Sequence, residues 1–194
     1  EQLGGNLNLT NSATGVIDAA IYMEGAQSGG VTNQGTLNLW YDDSSVQGDF
    51  NNSGTLNFMG GGDTYSAASL AVLKFADRED SGVLPSTFTN TGLVNMANGS
   101  TDSLLAIEGD YVGGGAINME YLNEGSAADQ VEIGGVLSGT TTVRVTGTGA
   151  VKLFDDNFLS LISVEGDVAD DSFVSDAIFP TTGLVLMNFG RNPN

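Results

Sequence analysis

Carboxylates are the residues through which this chain could do chemistry, and several come in adjacent pairs: Asp42-Asp43, Asp155-Asp156 and Asp170-Asp171. Two carboxyl groups roughly 5–9.5 Å apart can share acid and base work and cleave a glycosidic bond. Neighbours along a strand face opposite ways, however, and in a turn such a pair simply solvates the corner. The chain has no histidine and no cysteine, so neither a Ser-His-Asp nor a Cys-His arrangement can form. Asp80-Ser81-Gly82 superficially matches a serine-nucleophile loop, but it lacks the preceding glycine and a base, and reads as a turn. For calcium, Gly60-Gly61-Gly62-Asp63 is a single glycine-aspartate loop, whereas a stacked series of such loops is what makes that signal credible. Asp167, Asp170 and Asp171 could collect oxygen ligands, with a solvated turn as the simpler account. The expectation is a non-enzymatic protein with no catalytic, cofactor-binding or metal site and no cofactor.

The elements that would carry these residues announce themselves by repetition. Gly115-Ala116-Ile117-Asn118-Met119 recurs as Gly5-Asn6-Leu7-Asn8-Leu9, Gly35-Thr36-Leu37-Asn38-Leu39, Gly54-Thr55-Leu56-Asn57-Phe58 and Gly92-Leu93-Val94-Asn95-Met96. Three copies add an apolar residue four before the glycine and an asparagine two before it: Val31 with Asn33, Phe50 with Asn52, Phe88 with Asn90. The copy at Gly115 keeps Tyr111 but has Gly113 in place of that asparagine. Apolar-Asn-apolar alternation is the period of a half-buried strand, with Leu37 and Leu39 inward and Asn38 outward. The glycine upstream is read as a bend where positive φ is cheap, and asparagine as the residue next most tolerant of it.

Strands this short bury their apolar face by stacking on one another. The central asparagines 8, 38, 57, 95 and 118 stand 30, 19, 38 and 23 residues apart, with 38 read as two rungs of 19. A fixed phrase with variable spacing predicts an all-β right-handed parallel β-helix, a solenoid whose loops can leave one corner at any length. A two-layer sandwich is the alternative, since turn signals also come often enough for it.

Composition narrows the function class. The chain is 194 residues long with 28 glycines and three prolines, enough for one domain or one section of a longer solenoid. Acidic residues number 24 against five basic ones, a net charge of −19 that repels nucleic acid and anionic membrane surfaces. The charge keeps a β-rich chain soluble; a divalent cation or a basic partner is the sharper alternative. No apolar run reaches the roughly 20 residues of a membrane-spanning helix, and no signal-peptide pattern opens the chain. If the protein is exported, its leader has been removed or lies outside this sequence. Absence of cysteine suits either a reducing compartment or a chain that must stay free of disulfides while threaded across a membrane.

Along the chain, Ala20-Ile21-Tyr22-Met23 reads as a strand, and Asp42-Asp43-Ser44-Ser45 as a turn. Trp40 faces outward by parity with Asn38, as a contact residue or in corner packing. Ser69 to Phe75 reads as a strand followed by a long loop through Asp77 to Gly82, and loops 42–48 and 76–87 are the candidate binding loops. Val131/Ile133 and Val143/Val145 alternate on either side of a glycine-rich turn.

Asp129-Gln130-Val131-x-Ile133, then Gly135 and Gly139-Thr140-Thr141-Thr142-Val143-x-Val145, resembles the end of the passenger domain of pertactin-like (AIDA-type) autotransporters. Leu159 to Asp167 and Asp171-Ser172-Phe173 follow in the same order, so the resemblance covers about 88–189. Two departures concern the subfamily: the insert Gly147 to Ala150 is short, and the final strand Leu184 to Phe189 lacks a tyrosine-rich ending. The resemblance implies export from a Gram-negative bacterium through the protein's own C-terminal outer-membrane β-barrel, with Arg191 to Asn194 as the start of the linker into it. In such a bacterial chain, Asn-x-Ser/Thr triplets at Asn8, Asn51 and Asn98 carry no glycosylation signal. The repeats make residues 1–122 β-helix rungs, and the resemblance implies that 123–194 are a C-terminal β cap, an autochaperone-like folding segment, with the beginning of the linker. The function expected is a cell-surface stalk supporting adhesion, monomeric, without nucleic acid as partner. The alternative is a module that itself contacts host or neighbouring-cell surface molecules through its loops, and a polysaccharide-acting enzyme comes third.

Overall fold

The computed structural model describes residues 7–23, 29–40, 44–60, 69–73, 75–76, 83–84, 86–122, 127–148, 160–168 and 172–175. Every regular element among them is a strand, and apart from one short hairpin and one isolated bridge the pairing is parallel. The strands lie in three sheets visited in rotation, so the chain winds as a parallel β-solenoid and the sandwich alternative falls away.

The first face stacks Leu7–Asn11, Gly29–Asn33, Asp49–Asn52, Thr87–Asn90, Asp110–Gly113 and Leu137–Ser138. The second stacks Val16–Ala19, Thr36–Trp40, Thr55–Met59, Leu93–Asn95, Ala116–Leu122, Thr141–Thr148 and Phe173–Ser175. The third stacks Tyr22–Met23, Ser44–Gln47, Ser69–Leu73, Leu104–Ile107, Gln130–Ile133 and Ile162–Val164. All three continue past residue 122 with the same pairing, and Ala116–Leu122 runs against Thr142 to Thr148 over its whole length.

Alternation places the core as expected. Leu37, Leu39, Leu56, Phe58, Val94, Ile117 and Met119 are fully buried, while Asn38, Asn57, Asn95 and Asn118 face outward. On the first face one inward position forms an axial file: Phe50 stacks on Phe88 with ring centres 5.1 Å apart, and Phe88 on Tyr111 at 5.8 Å. Parallel in-register pairing puts like on like, because a residue sits directly above its counterpart one rung below.

Five readings of the sequence change. The opening copy of the phrase belongs to a different face: Asn8 pairs with Gly30 on the first face, and the second face begins instead with Gly15-Val16-Ile17-Asp18-Ala19. Both segments alternate, so periodicity alone could not tell them apart. The 38-residue interval is one rung rather than two, because Asn57 pairs directly with Asn95. The extra length lies between the second face and the return to the first, where Phe75–Ala76 and Val83–Leu84 form an antiparallel hairpin in place of a plain long loop. Ser44 and Ser45 are buried strand residues rather than a turn, Ser44 Oγ accepting the Ile21 N–H at 3.2 Å. Leu137–Ser138, inside the glycine-rich turn, is a strand of the first face.

The glycines are needed for a different reason from the one expected. Positive φ occurs at Gly29, Gly48, Gly99 and Gly139, and not at Gly35, Gly54, Gly92 or Gly115. Those four stand in a file on Gly15, and a Cβ on any of them would overlap the carbonyl oxygen of the glycine one rung below. That carbonyl is in use: the oxygens of Gly15, Gly35, Gly54, Gly92 and Gly115 accept the N–H of Thr36, Thr55, Leu93, Ala116 and Thr142 at 2.8–2.9 Å. The corner between first and second faces is therefore packed backbone against backbone.

Candidate functional site

Just before that corner lies a buried polar file. Asn11, Asn33, Asn52 and Asn90 end the strands of the first face, and all four side chains point inward, at most 4% exposed. Each carboxamide donates to the next rung: Asn11 Nδ2 to Asn33 Oδ1 at 2.8 Å, Asn33 to Asn52 at 2.8 Å, Asn52 to Asn90 at 2.9 Å. The second hydrogen of each goes to a backbone carbonyl, on Thr36, Thr55, Leu93 and Ala116 respectively. Buried amides left unpaired are costly, so in-register asparagines fix which rung sits on which. Where the asparagine is replaced by Gly113, the Tyr111 hydroxyl takes over, accepting from Asn90 Nδ2 at 3.5 Å and lying 3.0 Å from Thr141 Oγ1. Burial pushes that hydroxyl above its ordinary pKa, against the two hydrogen bonds. Tyr111→Phe keeps the ring in the aromatic file but leaves one Asn90 Nδ2 hydrogen without its acceptor and Thr141 Oγ1 without its hydroxyl partner. It should cost about 1–2 kcal/mol, read as a lowered urea midpoint at unchanged m-value.

A second asparagine file runs along the outside of the second face and donates in the opposite sense. Asn38 donates to Asp18, Asn57 to Asn38, Asn95 to Asn57 and Asn118 to Asn95, over 2.5–3.3 Å. Its last member, Asn118, keeps a buried Oδ1 without a hydrogen-bond partner among the described residues.

Among the described residues, the strongest electrostatic feature lies where the second face turns into the third. Asp129 is fully buried, its Oδ1 accepting the Ser103 N–H at 3.1 Å and its Oδ2 the Glu120 N–H at 2.7 Å. Glu120, 8% exposed, accepts the Gly99 N–H at 2.6 Å. Loss of hydration on burial pushes the Asp129 carboxyl up from 3.8 to about 7; the two N–H donors pull it down and the Glu120 charge pushes it further up. The sequence offered one signal for this acid, since Asp129 shares inward parity with Val131 and Ile133. Glu120 gave none: its parity is outward, yet the Asn98-Gly99 corner covers it.

A carboxyl group that titrates higher in the fold than in the unfolded chain leaves the native state holding the extra proton. Stability should therefore be fullest below about pH 4, fall as pH rises towards about 7, and level off above, by at most about 4 kcal/mol. Urea midpoints across this range should show the fall in the native chain and flatten in Asp129→Asn. Added salt screens the repulsion of a −19 surface but not this buried contribution, which separates the two.

As chemistry, these groups stitch rungs together. No set of three or more candidate metal ligands is grouped among the described residues. A depression of about 110 Å³ lined by Gln130, Val131, Glu132, Ser160, Leu161 and Ser163 is well below the roughly 300–1,000 Å³ of small-molecule sites. Asp42-Asp43, Asp155-Asp156, Asp170-Asp171, Asp63 and Asp80-Ser81-Gly82 lie outside the described residues, as do the whole proposed linker and final strand; Asp167 is exposed on the surface. Trp40 faces outward, 40% exposed, in register with Met59.

No protein-family model matches the chain. It is 30% identical over 108 residues to the uncharacterized protein YuaQ of Escherichia coli (strain K12), a match covering 54% of this chain and 8% of that protein. It is also 30% identical over 105 residues to the probable autotransporter YfaL of the same organism, covering 53% of this chain and 8% of that protein. The chain thus spans a small fraction of the length of the relatives it matches.

Proposed function

We propose that this chain is a section of an autotransporter passenger, a non-enzymatic stalk displayed at the surface of a Gram-negative bacterium. The observation that carries the reading is the pair of asparagine files, which tie rung to rung along the shaft. Similarity to a probable autotransporter supports it and suggests export across the outer membrane; passage through a C-terminal β-barrel is carried over from the family resemblance. The finer assignment, to the pertactin-like (AIDA-type) group, rests on the Asp129 to Val145 motif. In that reading the shaft holds more distal adhesive segments away from the cell and works as a monomer without nucleic acid. Residues 123–190 then serve as folding segment and cap, because an open last rung leaves unpaired backbone that invites edge-to-edge association.

The test joins the chain to an outer-membrane translocator barrel and follows surface display by protease accessibility of intact cells. The full chain should reach the surface as a protease-resistant unit, and deletion from Gln130 onward should leave residues 1–122 degraded or aggregated. A truncated chain that folds cooperatively and is displayed as well as the full one would refute the capping role. Outward Trp40 favours a second reading, in which this section itself contacts host or neighbouring cells; attachment of cells displaying it alone would support that reading.

A further inference from the structure

Asn98-Gly99 is the single Asn-Gly pair in the sequence, and the corner around it holds each group that cyclisation of such a pair requires. Gly99 N–H, the nucleophile once deprotonated, donates to Glu120 Oε2 at 2.6 Å. Asn98 Oδ1, on which negative charge would develop, accepts the Ser100 N–H at 2.8 Å. Asn98 Nδ2, the departing nitrogen, is held by Phe58 O and Ser103 Oγ, each at 3.0 Å. Gly99 is exposed, its φ is +90°, and a Cβ placed on it would meet nothing within 4 Å, so the nucleophile is uncrowded and water reaches the corner. The buried asparagines lack this combination, being followed by Ser12, Gln34, Ser53 and Thr91.

We propose that Asn98-Gly99 is a self-modifying site, at which Glu120 acts as general base for closure of a succinimide ring. Gly99 N passes its proton to Glu120 as its lone pair attacks Asn98 Cγ, and the Ser100 N–H stabilises the oxygen that gains charge. The Cγ–Nδ2 bond then breaks and Nδ2 leaves as ammonia, taking back the proton that Glu120 had accepted. Water opens the ring at either carbonyl and leaves aspartate or isoaspartate at position 98. One water is consumed, one ammonia released, and Glu120 is restored. The product loses the two Nδ2 donations, one of them to the rung below, and places a new carboxylate in the corner that Glu120 lines.

The rate of deamidation at position 98 and the isoaspartate content, both read by peptide mass spectrometry at neutral pH, test this. The folded chain should convert faster than a synthetic peptide spanning residues 97–103, and Glu120→Gln should slow conversion about tenfold or more. Equal rates in the native chain and Glu120→Gln, or a folded chain slower than the peptide, would overturn the proposal. Hydroxylamine, which cleaves succinimides, gives a reading that needs no variant. A cut between Asn98 and Gly99 in the folded native chain is expected, and its absence would count against the ring.

Discussion

Asn52→Leu is expected to lower stability by about 3–5 kcal/mol, a large part of the 5–15 kcal/mol that holds an ordinary domain folded. The substitution keeps the branched shape and adds apolar surface, so a purely hydrophobic account of the core predicts little change or a gain. Its cost comes from the partners left behind. Asn52 Nδ2 serves both Asn90 Oδ1 and the Leu93 carbonyl, and Asn52 Oδ1 accepts from Asn33 Nδ2. Asn33 Nδ2 and Asn90 Oδ1 cannot turn to solvent, because both residues are fully buried and the rungs above and below are in register. Urea unfolding of the variant should show a lower midpoint, and a double variant with Asn33→Leu should lose less than the sum of the two single losses, since neighbours in one network do not add.

Gly54→Ala should be comparably damaging, at about 3–5 kcal/mol, although in most exposed loops that change is mild. The added Cβ would overlap the Gly35 carbonyl oxygen and crowd the Gln34 carbonyl. Both are backbone atoms in an axial file, and the Gly35 oxygen already accepts the Thr55 N–H at 2.8 Å. Strands hydrogen-bonded to one another sit about 4.8 Å apart, so the methyl fits only by prising two rungs open. Gly99→Ala is the matched control. It meets open space and carries only the strain of a positive φ, about 1–3 kcal/mol. Near-equal losses at the two positions would show that conformational preference, and not close approach, explains the glycines.

Much of this architecture could be read from the chain. Glycine-led triplets at 35–39, 54–58, 92–96 and 115–119 gave the second face and its inward residues, because period-two alternation reports burial directly. The asparagines two before the glycine were equally visible, yet their inward placement was not. Asn33 and Asn52 follow inward-facing Val31 and Phe50 at strand parity, but asparagine before glycine is also the ordinary mark of a turn. Distinguishing the two needs knowledge of what lies one rung away. The same holds for the glycine file, whose constraint comes from residues some 20 to 40 positions distant. Asp18 escaped the repeat because it replaces asparagine, although the outer file it anchors needs only an acceptor at its end. Glu120 became a candidate base through the shape of a corner that parity does not describe.

If the asparagine files are what set rung upon rung, their side-chain amides must be as protected as the strands themselves. Hydrogen exchange of asparagine Nδ2 protons, followed by NMR on the folded chain, measures this directly. Asn33 and Asn52 should exchange orders of magnitude more slowly than exposed Asn8 and Asn51, and in step with the backbone amides of Phe50 and Phe88. Side-chain amides at Asn33 and Asn52 exchanging as fast as those of Asn8 and Asn51 would contradict the account, leaving the apolar core alone to hold the column.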